Sequence, residues 1–141
     1  MWLWGLVWIL NKIDEYKKKI DSLRSFDKME VYSWLISLGK KLVNDPLSEE
    51  KRIKENQVSY CQYQLYVDWE DDRFKAWSDA LIASGYAYLL IDIFNSASLK
   101  EASRIAKDDF KQLEIQNLLS MNKTNGFYQM IEMMQERIKK D

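Results

Sequence analysis

The feature that most constrains this chain is a short central stretch where a repeat of two interrupts a repeat near three and a half. Leu65, Val67 and Trp69 alternate with Gln64, Tyr66 and Asp68, the pattern of a strand with one buried face. Asp71-Asp72 supplies a turn signal before Arg73 to Trp77, so the stretch reads as a β-hairpin, with a further short strand expected ahead of it near residues 57–59. A hairpin is at best marginally stable alone. The flanking segments must therefore cover it.

Those segments carry helical spacing. Over residues 13–24, Ile13, Tyr16, Ile20 and Leu23 form an apolar stripe among Asp14, Glu15, Lys17, Lys18 and Lys19, which predicts a surface helix with one buried edge. A second helix starts at Asp27, where Asp-x-x-Glu to Glu30 forms an aspartate version of a capping box. Its face runs Val31, Leu35, Leu38 and Leu42, and it ends before Pro46. Residues 44–56 are polar and read as a surface connection, with a helical turn begun by Ser48. After Ser78-Asp79 come Leu81, Ile82, Gly85, Leu89 and Ile93, a central buried helix in which Gly85 lets a neighbour come close. Ser98-x-x-Glu101 is a capping box for a short helix, Asp108-Asp109 begins another, and Asn122 is expected to cap a last helix over residues 123–139. Helices flanking one small sheet, in a chain of 141 residues with 47% apolar content, predict a single α+β domain over residues 13–141.

Ahead of it, residues 1–12 form an apolar extension containing Trp2, Trp4 and Trp8. It is shorter than the roughly 20 residues of a membrane span. It also lacks the basic start and small-residue cleavage site of a secretory signal. The extension reads as an extra helical turn or an upstream start, against the alternative of an interfacial tryptophan anchor. It is expected to be dispensable.

The charge balance of 21 basic against 22 acidic residues offers no broad field for nucleic acid or anionic lipid. The chain has no histidine, which excludes histidine acid–base chemistry. With one cysteine it can form no internal disulfide, nor assemble by itself the usual ligands of structural zinc, haem or a four-cysteine cluster. No cofactor is expected, and an unpaired thiol points to a reducing, cytoplasmic setting. The acidic tip Glu70, Asp71 and Asp72 reads as a charged hairpin turn, and Met130, Met133 and Met134 as core on the last helix.

Chemistry then concentrates on Cys61, in the uncharged segment Gln57-Val58-Ser59-Tyr60-Cys61-Gln62-Tyr63-Gln64 beside a turn. A free cysteine is more often a small buried hydrophobe than a nucleophile, while a reactive one needs thiolate character and access. These residues alone leave both readings open. The chain resembles the SufE family of sulfur acceptors in an ordered set of pieces. They are Leu38-Gly39-Lys40-Lys41-Leu42, Cys61-Gln62-x-Gln64, Ser78-Asp79-Ala80-Leu81-Ile82-x-x-Gly85, Phe110 with Leu113, Leu119-Ser120, Asn125-Gly126 and Met130-Ile131.

The resemblance implies a SufE/IscU-like α+β fold with a small antiparallel three-stranded sheet packed against helices. It also implies that Cys61 takes persulfide sulfur from a SufS-like cysteine desulfurase, stimulates that enzyme, and passes the sulfur to a SufBCD-like iron–sulfur scaffold. Tyr60, Gln62 and Tyr63 are then the loop neighbours, and Lys123 a partner contact where the family commonly has arginine. This chain departs from the family at Tyr60, where glycine is usual, at Tyr63, where serine is usual, and at Leu118 in place of a common histidine. If the family loop needs a positive φ, Tyr60 must strain or take another path. Both tyrosines are expected to shelter the sulfur. The competing reading is a noncatalytic SufE-like module that docks on a desulfurase or scaffold without carrying sulfur.

Overall fold

The computed structural model describes residues 2–96 and 98–140, with side chains from residue 10 onward. Helix α1 (Trp2–Phe26) buries Ile13 and Ile20 and half-covers Tyr16 and Leu23, the stripe expected from spacing. The apolar run continues α1 without a break in the backbone. Whether its side chains pack on the body lies outside the described residues.

Helix α2 (Lys28–Leu42) begins where the Asp27 carboxylate accepts a hydrogen bond from the Met29 amide. It buries Val31, Leu35, Leu38, Gly39 and Leu42 and stops ahead of Pro46.

Strands β1 (Leu65–Glu70) and β2 (Arg73–Ser78) pair antiparallel in the register Leu65↔Ser78 to Glu70↔Arg73. Asp71 and Asp72 make the turn at φ 57° and 64°. Two successive positive φ values define the primed turn whose twist matches a two-residue hairpin, and aspartate tolerates that region better than most residues.

The sheet has two strands, not the three expected. The segment near 57–59 contributes an isolated bridge, Gln57↔Tyr66, and one bond from the Val58 amide to the Leu65 carbonyl at 2.8 Å. Pairing ends there because the chain turns away, the Val58 carbonyl accepting from the Cys61 amide at 3.1 Å, and a side chain from further along the sequence holds the turn. Gln129 accepts from the Tyr60 amide at 2.8 Å and donates to the Ser59 hydroxyl at 2.8 Å. On its other edge β2 is closed by side chain and loop. Asn95 accepts from the Phe74 amide at 2.9 Å and donates to the Phe74 carbonyl at 3.0 Å, while the Leu47 amide reaches the Ala76 carbonyl at 3.1 Å. Backbone groups that would otherwise template another strand are thereby occupied.

Helix α3 (Leu81–Asn95) is the central one, buried from Ala83 through Phe94 apart from Tyr88 and Asp92. It crosses α2 through two glycines: a Cβ at Gly85 would stand 2.2 Å from the Leu35 carbonyl oxygen, and one at Gly39 would stand 2.9 Å from Ser84 Cβ. Helix α4 (Leu99–Ala102) opens with the expected box, Ser98 and Glu101 each bonding the other's amide. A 3-10 stretch, Lys107–Leu113, follows.

Helix α5 (Met121–Lys139) starts two residues earlier than predicted. Its cap is Ser120, which accepts from the Lys123 amide, and not Asn122. Met130 and Met134 are core, with Met133 packed at its margin. A chain of rings from Phe74 to Phe94, Phe110 and Phe127, with centroids 5.9 to 6.3 Å apart, ties β2, α3, the 3-10 stretch and α5 into one core.

Candidate functional site

The segment between the Gln57 bridge and β1 carries Cys61, and polar contacts fix both of its ends. At the entrance, Val58 is fully buried and its carbonyl accepts from the Cys61 amide at 3.1 Å, while Gln129 of α5 holds Ser59 and Tyr60. At the exit, the Gln64 amide donates to the Asp79 carboxylate at 3.0 Å. The Gln64 carbonyl accepts from the Ser78 hydroxyl at 2.6 Å and from the Asp79 amide at 3.3 Å. Ser78-Asp79, one of the resembling pieces, thus anchors the loop as well as leading into α3. A loop held by side chains and not by a ladder keeps a defined position without becoming a strand.

Cys61 is half-buried and unpaired. It borders a small cavity of about 20 Å³ lined by Gln62, Tyr63, Ala80, Ala83, Asn122 and Lys123. A cavity needs about 10–15 Å³ to hold one water, so this space suits a single extra atom. Two alanines leave that room on the α3 side.

The structure brings together Cys61, Gln62, Tyr63 and Lys123 and leaves Tyr60 outside the lining. Tyr60 and Tyr63 are 64% and 52% exposed. Of the two tyrosines, Tyr63 lines the cavity together with the alanines, while Tyr60 projects outward. Among the described residues, positive φ outside glycine occurs at Asp71, Asp72 and Glu114 alone, so Tyr60 sits in ordinary backbone and the departure from glycine costs no strain. Lys123 lies in the first turn of α5, whose N-terminal end faces the cavity through Asn122 and Lys123. Helix N-termini and cations both favour an anion nearby.

Two residues whose part in the site sequence reasoning missed complete the surroundings. Tyr86, on α3, is fully buried, and its hydroxyl has no hydrogen-bond partner of normal geometry. The polar group beside it is the Cys61 thiol, and burial first, then that thiol, push the Tyr86 phenol far above its usual range. Gly126, on α5, makes the space: a Cβ there would lie 2.7 Å from the Tyr86 hydroxyl and 3.8 Å from Cys61 Cα and Cβ. The first of two tyrosines in the largely apolar α3 was the available signal, because a buried phenol needs a partner.

This geometry defines an α+β protein that presents one thiol from a tethered loop. The SufE family, described as an Fe-S metabolism associated domain, matches residues 17–138, and the chain belongs to this family. It is 33% identical over 118 residues to an uncharacterized SufE-like protein of Synechocystis, across 81% of this chain and 73% of that one. It is 32% identical over 120 residues to an uncharacterized SufE-like protein of Rhizobium etli, across 77% and 78%. SufE-like protein 1 of Arabidopsis thaliana, chloroplastic/mitochondrial, is 29% identical over 131 residues, which cover 89% of this chain but only 34% of that longer protein. The fold also matches the solution structure of a hypothetical protein from Thermus thermophilus, with a TM-score of 0.65 over 89% of this chain and 93% of that one at 15% identity. Membership ties the chain to iron–sulfur metabolism. No helix among the described residues is long and apolar enough to cross a membrane.

Proposed function

We propose that the chain accepts sulfur from a SufS-like cysteine desulfurase on Cys61, stimulates the enzyme by clearing its persulfide, and passes the sulfur to a SufBCD-like scaffold. The observation that carries this reading is the place of the lone thiol, half-buried on a doubly anchored loop with room for one more atom beside it. In the transfer, the Cys61 thiolate attacks the outer sulfur of the desulfurase persulfide. A new S–S bond forms at Cys61, the S–S bond on the desulfurase breaks, and its electron pair leaves with the desulfurase cysteine as a thiolate. The exchange is redox-neutral and needs no metal or histidine in the acceptor.

Lys123 and the start of α5 favour the anion, and Gln62 and Tyr63 form the outer rim that a partner meets first. Apolar cover from Tyr63, Ala80 and Ala83 limits reductant access to the carried sulfur. A reducing compartment such as the cytoplasm suits the unpaired thiol.

The test is sulfur loading. After mixing with a cysteine desulfurase and free cysteine, intact mass should show one added sulfur on the chain and none on Cys61→Ser, with unchanged far-UV circular dichroism. A Cys61→Ser chain that still accelerates the desulfurase as the parent does would reverse the assignment in favour of a noncatalytic docking module.

A further inference from the structure

A fully buried phenol hydroxyl without a partner is costly, because it gives up its bonds to water and gains none. The Tyr86 hydroxyl is held in that condition beside Cys61, with Gly126 leaving the gap it occupies. Its ring is fixed by packing edge-on to Phe127 with centroids 5.9 Å apart, so the hydroxyl cannot swing to solvent. Burial keeps the phenol protonated, so it faces the sulfur as a donor. A neutral thiol is a weak acceptor, whereas a sulfur anion takes a charge-assisted bond of about twice the ordinary strength. The unsatisfied hydroxyl is thus matched to the charged form of the group beside it.

We propose that the Tyr86 hydroxyl is the hydrogen-bond donor that stabilises the anionic sulfur on Cys61, as thiolate before loading and as persulfide after it. The role in loading rests on Cys61 being the acceptor, but the hydrogen bond itself does not. Stabilising the anion favours the nucleophilic form of the sulfur.

The experiment is the pH dependence of Cys61 alkylation by iodoacetamide, read by intact mass on the full chain without a desulfurase. Tyr86→Phe removes the hydroxyl and keeps the ring. Its inflection should move up by about one pH unit and its rate near neutral pH should fall several-fold, while the plateau at high pH rises by no more than about threefold, because the less acidic thiol gives the better nucleophile. Gly126→Ala, which crowds the hydroxyl but keeps it, should move the inflection the same way and covers the case in which Tyr86→Phe does not fold. Superimposable profiles overturn the proposal. So does a changed plateau with an unmoved inflection, because that is the mark of altered packing alone. A parent chain that shows the Tyr86 effect but takes no sulfur from a desulfurase refutes the acceptor reading and leaves the hydrogen bond. One that loads sulfur with an unmoved inflection refutes only the hydrogen bond.

Discussion

The α2–α3 crossing and the Cys61 loop lie at opposite ends of how a chain can be held. At the crossing, Gly85 and Gly39 bring two helices to backbone contact, and burial does the holding. At the loop, Val58 is fully buried and Cys61 only half so, and the rest of the path is set by hydrogen bonds with Gln129, Ser78 and Asp79. Close packing is intolerant of one added methyl. Exposed polar tethers are individually weak and leave a segment free to open locally. The stable crossing fixes α3, and with it Tyr86, while the weaker tethers let the thiol be reached.

The largest expected effect follows from the first half of that contrast. Gly85→Ala places a methyl 2.2 Å from the Leu35 carbonyl oxygen, a backbone atom that cannot rotate away. It should cost about 1–3 kcal/mol or more. Thermal denaturation should show a Tm lower by roughly 3–10 °C. An unchanged Tm would mean that the crossing is looser than its geometry.

The second half predicts smaller losses of stability with larger changes in reactivity. Gln129→Ala removes both bonds to Ser59 and Tyr60; each is exposed, so water replaces it and the cost per bond falls at the low end of about 0.5–1.5 kcal/mol. Cys61 alkylation should rise several-fold while Tm moves little. A fall in stability as great as that of Gly85→Ala would erase the distinction between the regions.

Acid should separate the crossing from a third region, the hairpin tip. Asp45 is held below the usual carboxylate range by its hydrogen bond to Arg73, Glu70 by Ser48, and Asp71 by Lys75. A depressed folded value means stability that is full above the unfolded values, 4.5 for Glu70 and 3.8 for the aspartates, and is lost as pH falls below them through the folded ones. Amide protection, corrected for the intrinsic exchange rate at each pH, should therefore fall first at the hairpin tip, with α3 still protected. Simultaneous loss in both regions would show a single cooperative unit.

The smallest effect is expected at the start of the chain. The described buried positions of α1 are Ile13 and Ile20, and the family match begins at residue 17. A chain beginning at Asn11 should keep its Tm within a few degrees and load sulfur as the parent does. A large loss would make the apolar run part of the core.

Local signals in the sequence determined the hairpin at Asp71-Asp72, the Ser98–Glu101 box, the end of α2 ahead of Pro46, and α3 as the buried helix with Gly85 at a close approach. Each depends on residues a few positions apart, whose backbone preferences and spacing act before any tertiary contact forms. Cys61 was legible as the single thiol in an uncharged loop, and the family pieces gave it a role. The rest belonged to tertiary structure. Ser120 and Asn122 are both good caps, and Ser120 follows directly on Leu118 and Leu119, which are buried. The third strand is reduced to a bridge where the chain turns from Val58 to Cys61, and Gln129, 69 residues beyond Tyr60, ties that turn to α5. The meeting of Tyr86, Gly126 and Cys61 is of the same kind. No local preference encodes it, because it exists only once α3 and α5 have packed against the loop and one missing Cβ has left space for a hydroxyl beside a thiol.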